Sequence, residues 1–99
     1  MKLFFINGPR SGEHLELSGK EVSLGRETDN DVTIEVGGAS RYHAKLIKHD
    51  DDVWYLKDLG STNGCKVNAK LIKEERELKN GDIIALGDQI LRVDGDESA

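Results

Sequence analysis

Apolar and polar residues alternate in short segments along almost the whole chain. "EVSLG" (21–25) places Val22 and Leu24 on one face, and "VWYLKDL" (53–59) repeats the pattern. A period of two is typical of β-strands, whereas a helix requires apolar residues three and four positions apart. "KEERELK" (73–79) is the one helix-like stretch. Since it lacks an apolar helical face and an N-cap, we expect a loop and a short strand there.

Turn-forming residues separate the predicted strands. They occur in "NGPRSG" (7–12), "HDDD" (49–52), "STNG" (61–64), "KNGD" (79–82) and "GD" (87–88). Asn-Gly between apolar alternations is a strong hairpin signal. We therefore predict an all-β domain over residues 1–94, a two-sheet β-sandwich of about ten or eleven short, mostly antiparallel strands. Residues 95–99 are predicted to form a flexible acidic tail.

The composition fits one folded domain. The chain has 99 residues, of which 36% are hydrophobic and 33% charged. No apolar run approaches the ~20 residues of a membrane span, and Leu3 to Ile6 is too short for a signal-peptide core. Cys65, the only cysteine, has no partner for an internal disulfide, which fits a reducing compartment. We expect a cytoplasmic monomer, or a nuclear one if the source is eukaryotic.

The charge distribution limits the choice of ligand. Fourteen basic residues are scattered among nineteen acidic ones, for a net charge of −5. A nucleic-acid partner is not expected, because such proteins gather their Lys and Arg into a stripe. A ligand with a single phosphate group is compatible with the negative net charge, since screening limits charge effects to about 8 Å. The spacing of Asp29, Asp31 and the acidic run Asp50–Asp52 lacks the glycine and distal glutamate of a calcium loop, so we predict no metal and no cofactor.

"GASRYHAK" (38–45) allows two interpretations. Ser40 is either a nucleophile activated by His43, with an acid such as Asp58, or a ligand that holds an anion together with Arg41. Against the hydrolase, Tyr42 replaces the last glycine of a Gly-x-Ser-x-Gly elbow. In an extended chain, a three-residue offset also places the serine and the histidine on opposite faces. The anion-binding interpretation is favoured.

Four fragments, in this order and spacing, resemble the forkhead-associated (FHA) domain. They are "LGRETDND" (24–31), "GASRYHAK" (38–45), "KDLGSTNGCKVN" (57–68) and "LKNGDIIALG" (78–87). They match the family pattern of Gly-Arg, Ser-x-x-His, Gly-Ser-Thr-Asn-Gly with a later Asn, and Gly-Asp. The resemblance implies a sandwich with its binding loops at one end. It also implies a phosphothreonine-binding module that is not an enzyme and that acts on partners modified by a Ser/Thr kinase.

The resemblance also implies roles for individual residues. Four would bind the phosphate: Arg26, Ser40, Arg41 and Thr62. Two would bind the peptide backbone, Asn63 and Asn68, and four would support the loops: Gly25, His43, Ser61 and Gly64. A guanidinium presents fixed N–H donors to a phosphate, and an asparagine amide both donates and accepts. A phosphate-independent interaction module remains the alternative, because a sandwich can host many functions.

Overall fold

A computed structural model of the chain describes residues 1–72 and 74–95, which form eleven strands. The first six strands are β1 (Lys2–Phe5), β2 (His14–Glu16), β3 (Glu21–Gly25), β4 (Val32–Thr33), β5 (Ala44–Lys48) and β6 (Trp54–Asp58). The remaining five are β7 (Cys65–Val67), β8 (Lys70–Leu71), β9 (Glu75–Glu77), β10 (Ile83–Leu86) and β11 (Gln89–Asp94).

The strands form two sheets. The six-stranded sheet has the order β2-β1-β11-β10-β7-β8, and the five-stranded sheet has the order β4-β3-β5-β6-β9. Every pairing is antiparallel except that of β3 with β4. The predicted all-β sandwich of mostly antiparallel strands is confirmed.

The core lies between the inner faces of the sheets. In β11, Leu91 and Val93 are fully buried, while the alternate residues Ile90 and Arg92 are half-buried. This is the period of two that the sequence shows, because successive side chains of a strand point to opposite faces. The largest fully buried apolar side chains come from both sheets and from the residue that follows β4: Leu3, Phe5, Leu24, Ile34, Leu46, Leu56, Ile84, Leu86 and Leu91.

Of the three Asn-Gly signals, the one in "NGPRSG" lies between the antiparallel partners β1 and β2, as predicted, but the other two do not mark hairpins. "STNG" connects β6 in the five-stranded sheet to β7 in the six-stranded sheet, and "KNGD" lies in the connection from β9 to β10, which also changes sheets. Two tight hairpin turns lie elsewhere: Gly87 and Asp88 connect β10 to β11, where "GD" predicts a turn, and Asn68 and Ala69 connect β7 to β8 with φ values of 52° and 72°. Two successive positive φ values are those of a type I′ turn, which asparagine tolerates well.

The structure describes part of segment 73–79 and part of the predicted tail 95–99. In "KEERELK", strand β9 is present as expected, and Lys73 lies outside the described residues. Of the predicted tail, the structure describes Gly95, whose N–H donates to Asn80 Oδ1 over 2.8 Å; residues 96–99 are not described. Among the described residues, no helix is long and apolar enough to span a membrane.

Candidate functional site

Three loops meet at one end of the sandwich. Strands β3 and β6 both pair antiparallel with β5, so their carboxyl ends lie beside the amino end of β5. The loops that leave β3 and β6 and the loop that enters β5 are therefore neighbours. These loops, covering 26–31, 34–43 and 59–64, and their junctions with the strands contain every predicted site residue except Asn68.

The loops surround an open cleft of about 650 Å³. Its lining is formed by Arg26, Gly38, Ala39, Ser40, Arg41, Tyr42, Leu59, Thr62 and Asn63. The structure thus brings together all four residues predicted to bind phosphate. Asn63, predicted to bind a peptide backbone, lies at the same cleft.

Two hydrogen bonds hold the β4–β5 loop against the β6–β7 loop. The backbone N–H of Thr62 donates to Ser40 Oγ over 3.1 Å, and Asn63 Nδ2 donates to the carbonyl of Gly38 over 2.8 Å. Ser40 Oγ acts as an acceptor here, so its hydroxyl hydrogen is left to donate to a group in the cleft. Asn63 keeps its Oδ1, which can accept the backbone N–H of a ligand.

His43 lies beneath the same loops and is completely buried. Its Nδ1 accepts the backbone N–H of Ser40 over 3.0 Å, and its Nε2 is 2.7 Å from the carbonyl oxygen of Gly64. A backbone N–H can only donate and a carbonyl can only accept, so the ring is neutral and carries its hydrogen on Nε2. His43 therefore connects two of the loops that line the cleft.

This arrangement argues against the hydrolase alternative. Both ring nitrogens of His43 are bound to backbone groups, and neither contacts the hydroxyl of Ser40. The Asp58 carboxylate accepts hydrogen bonds from Ser61 and Cys65. A nucleophile, a base and an orienting acid must be joined by hydrogen bonds in that order. The described residues show no such chain from Ser40 through His43 to Asp58.

Asp58 organises the start of the β6–β7 loop. One carboxylate oxygen accepts from Ser61 Oγ and from Cys65 Sγ, and the other accepts the backbone N–H groups of Gly60 and Ser61. Ser61 Oγ in turn accepts the backbone N–H of Gly64 over 2.9 Å. Partial burial favours the neutral acid, but these hydrogen bonds outweigh it and hold the pKa of Asp58 below its ordinary value.

His43, Asp58 and Cys65 also form a cluster of possible metal ligands, because their ligand atoms lie within 4.8 Å of one another. Each atom already has a protein partner: Nε2 of His43 bonds to Gly64, and Asp58 and Cys65 bond to each other over 3.2 Å. We assign these residues to the support of the loop rather than to metal binding.

Cys65 should be unreactive in the folded protein. Its thiol is fully buried, and burial, followed by the hydrogen bond to Asp58 and the negative charge of that residue, raises its pKa far above the ordinary value. The thiolate is the reactive form, so we expect labelling by a disulfide reagent at pH 8 to be at least about a hundredfold slower than in guanidinium chloride. Spectrophotometric thiol titration measures both rates. Rapid labelling of the native protein would contradict this placement.

Gly25 allows two binding loops to approach each other closely. A Cβ at this position would lie 2.2 Å from the carbonyl oxygen of Arg41 and 2.8 Å from Asn30 Nδ2. Nothing larger than glycine fits without moving the backbone of Arg41. The next residue, Arg26, donates its backbone N–H to the carbonyl of Ser40 over 3.0 Å. Both predicted phosphate-binding arginines are thereby fixed next to each other by the main chain.

Asn30 is a supporting residue that sequence reasoning missed. Its side chain is 7% exposed, and Nδ2 donates to the carbonyls of Glu27 (2.8 Å) and Arg41 (2.9 Å). It thus connects the turn after Arg26 to the loop that carries Arg41. In the sequence Asn30 lies between two aspartates and is indistinguishable from an ordinary turn residue. The cleft residues Gly38, Tyr42 and Leu59 had no sequence signal of ligand contact.

The two cleft arginines are available to an external anion. Both are exposed, and neither takes part in the ion pairs found within 1–72 and 74–95. The nearby carboxylate of Asp29 accepts the Tyr42 hydroxyl at both oxygens, over 2.9 and 3.0 Å. This hydrogen bond is the main cause that raises the pKa of Tyr42, while the charge of Arg41 opposes the rise. Two cations therefore face the cleft without a carboxylate partner.

Asn68 does not lie at the cleft. It follows β7 at the end opposite to Gly64, about 13 Å away at ~3.3 Å per strand residue. Its Nδ2 donates to Asp82 over 2.9 Å, and its Oδ1 accepts the N–H of Ile83 over 2.9 Å. We therefore withdraw the prediction that Asn68 contacts the backbone of a peptide. Its side chain joins β7 to β10 from its position in the type I′ turn.

Comparison with known proteins gives one consistent family. The family model described as "FHA domain" matches residues 22–87. The FHA domain-containing protein At4g14490 of Arabidopsis thaliana is 35% identical over 92 residues, which cover 89% of this chain and 24% of that protein. The chain thus spans about a quarter of that relative's length.

Two solved structures have similar folds. One, from a structural and functional analysis of phosphothreonine-dependent FHA domain interactions, has a TM-score of 0.86 and 31% identity, covering 97% of this chain and 96% of its own. The other is the FHA domain of FhaA in complex with the intracellular domain of Rv3910. It has a TM-score of 0.81 and 32% identity, covering 92% of this chain and 96% of its own.

Proposed function

This chain belongs to the FHA domain family, and from that membership we propose that its cleft binds phosphothreonine in a partner protein. It is a non-catalytic binding module. The proposed ligand is an extended segment of the partner whose phosphate enters between the three loops. Arg26, Ser40, Arg41 and Thr62 would donate to the phosphate oxygens, and Asn63 Oδ1 would accept a backbone N–H of the segment.

One observation carries the proposal: two arginines without carboxylate partners lie in the same cleft as a serine hydroxyl whose hydrogen is uncommitted. A phosphothreonine has about −1.5 to −2 charges and three acceptor oxygens. The cleft offers two positive charges and several N–H and O–H donors, so charge and donor number both match this ligand. A hydrophobic partner surface would leave these donors desolvated and unpaired, which is costly.

The expected affinity is modest. Charge-assisted hydrogen bonds contribute about 1.5–3 kcal/mol each, but association and the ordering of the peptide oppose them. We expect a dissociation constant near 1 μM, which is about −8 kcal/mol. Preference for threonine over serine rests on one methyl group. In a fitted pocket such a group gives ~1–3 kcal/mol, or roughly 10–200-fold.

The proposal also places the protein in a signalling or assembly process. The ligand exists only after a Ser/Thr kinase has modified the partner, so binding would follow kinase activity. We propose a cytoplasmic setting, with a nuclear one if the source is eukaryotic. The phosphate-independent interaction module is the alternative, and it predicts binding that is insensitive to phosphorylation.

Calorimetric titration tests the proposal directly. An oriented phosphothreonine-peptide library selects a binding sequence, which is then synthesised in phosphothreonine, phosphoserine and unmodified forms. We expect binding near 1 μM for the first, roughly 10–200-fold weaker binding for the second, and binding at least about a hundredfold weaker for the third. Equal affinity of the phosphorylated and unmodified peptides would establish the alternative instead.

A further inference from the structure

Two large apolar side chains are exposed in the otherwise polar cleft. Tyr42 is 50% exposed and Leu59 is 38% exposed, and both line the cleft with Arg26 and Arg41. A single exposed apolar residue is ordinary on any protein surface. Two at the same concave site, next to convergent polar donors, are typical of a ligand-binding site. Neither belongs to the buried core of the sandwich.

Hydrogen bonds hold the side chain of Tyr42 and the backbone of Leu59. The Tyr42 hydroxyl donates to both carboxylate oxygens of Asp29, which restrains the ring at its outer end. The backbone N–H of Leu59 donates to the carbonyl of His43 over 3.0 Å, which continues the pairing of β5 with β6 by one residue. Such restraints lower the entropy that would be lost on contact with a ligand.

The hydrogen bonds between the loops define an order along the cleft. Segment 38–43 and segment 59–63 run side by side in opposite directions, because residue 38 bonds to 63, residue 40 to 62, and residue 43 to 59. The phosphate donors Ser40 and Thr62 are in the middle of this order. Asn63 is at one end, and Leu59, next to the backbone of residue 43, is at the other.

We propose that Tyr42 and Leu59 form a subsite for an aliphatic side chain of the bound segment, at the residue adjacent to the phosphothreonine on the side away from Asn63. This inference rests on the proposed function, since the phosphate defines where the segment lies. Consecutive Cα atoms of the bound segment are about 3.8 Å apart. If Arg41 binds the phosphate, the side chain next to the phosphothreonine can therefore reach Tyr42, which follows Arg41 in the chain.

The test compares two peptides and four proteins by calorimetric titration. The phosphothreonine library identifies the position at which Leu, Ile, Val or Met is enriched. Two peptides are then made, identical except for leucine or alanine at that position. We expect the wild-type domain to bind the leucine peptide about tenfold more tightly, as partial burial of one leucine side chain provides.

Substitutions in the domain test whether Leu59 causes the preference for the leucine peptide. Leu59→Ser should bind the leucine and alanine peptides with affinities within about twofold of each other, and Leu59→Met should keep most of the tenfold difference. Ile83→Ser is the matched control, because Ile83 is also exposed (36%) but lies at the start of β10 beside Asn68, away from the cleft. It should bind both peptides as the wild type does.

The outcomes separate this inference from the function it depends on. Phosphate-dependent binding with no aliphatic preference, or with a preference for Lys or Arg beside the phosphothreonine, overturns the subsite and leaves the proposed function standing. A leucine preference that survives in Leu59→Ser also overturns the subsite. If the wild type binds all peptides without regard to phosphate, the proposed function fails and the subsite fails with it.

Discussion

Arg26→Ala should weaken the binding of a phosphothreonine peptide by about 30- to 5,000-fold. This range corresponds to ~2–5 kcal/mol, the usual cost of removing one partner of a desolvated charge pair. Arg26 lines the cleft and has no competing carboxylate among the described residues, so its guanidinium is free to bond to the ligand. Titration with the selected phosphopeptide measures the loss.

Two further variants separate a specific contact from a general effect of charge. Lys57→Ala removes the same charge from an exposed position on β6, and we expect its affinity to stay within about twofold of the wild type. Arg26→Lys keeps the charge but loses the fixed pair of donors, so it should recover only part of the binding. The Arg26 side chain is exposed, and its removal should change the free energy of unfolding by less than ~0.5 kcal/mol. Unchanged peptide binding in folded Arg26→Ala would refute the proposed site.

Most of the fold could be predicted because eight of the eleven strands have buried residues on one face. The alternation in "EVSLG" corresponds to buried Val22 and Leu24 in β3, next to half-exposed Ser23. The order of the strands in the two sheets could not be predicted, since local periodicity says nothing about which strands pair. Two of the three Asn-Gly signals failed for the same reason: "STNG", for example, has the local chemistry of a hairpin turn, but its flanking strands belong to different sheets.

The candidate site depended more on the family pattern than on local physics. Arg26, Ser40 and Thr62 are far apart in sequence, and their shared cleft results from the pairing of β5 with β3 and β6. Asn68 shows that a match to the family pattern does not by itself fix a residue's role. It occupies the position of the later Asn in the motif, but its side chain contacts Asp82 and Ile83. Asn30 shows the opposite limit. Its importance comes from a hydrogen bond to a residue eleven positions away, which no short motif contains.

His43→Ala should be the most destabilising substitution in the loop region. The change removes a fully buried ring and leaves the N–H of Ser40 and the carbonyl of Gly64 without their partner. A cavity of this kind together with two unpaired polar groups costs about 3–5 kcal/mol. For a domain of this size, that lowers the melting temperature by roughly 12–30 °C. Differential scanning calorimetry measures the change.

His43→Ala should also bind the phosphopeptide more weakly, and this loss has a cause other than the lower stability of the fold. His43 does not line the cleft, yet it fixes the loop that carries Ser40 and Arg41 against the loop that carries Thr62. At a temperature well below its melting point, the folded variant should still bind about tenfold more weakly, because the loops must be ordered again on binding. His14→Ala is the matched control, since His14 is exposed on β2 and stacks on Phe4. If His43→Ala were as stable as His14→Ala and bound phosphopeptide normally, His43 would not be the connection between the loops.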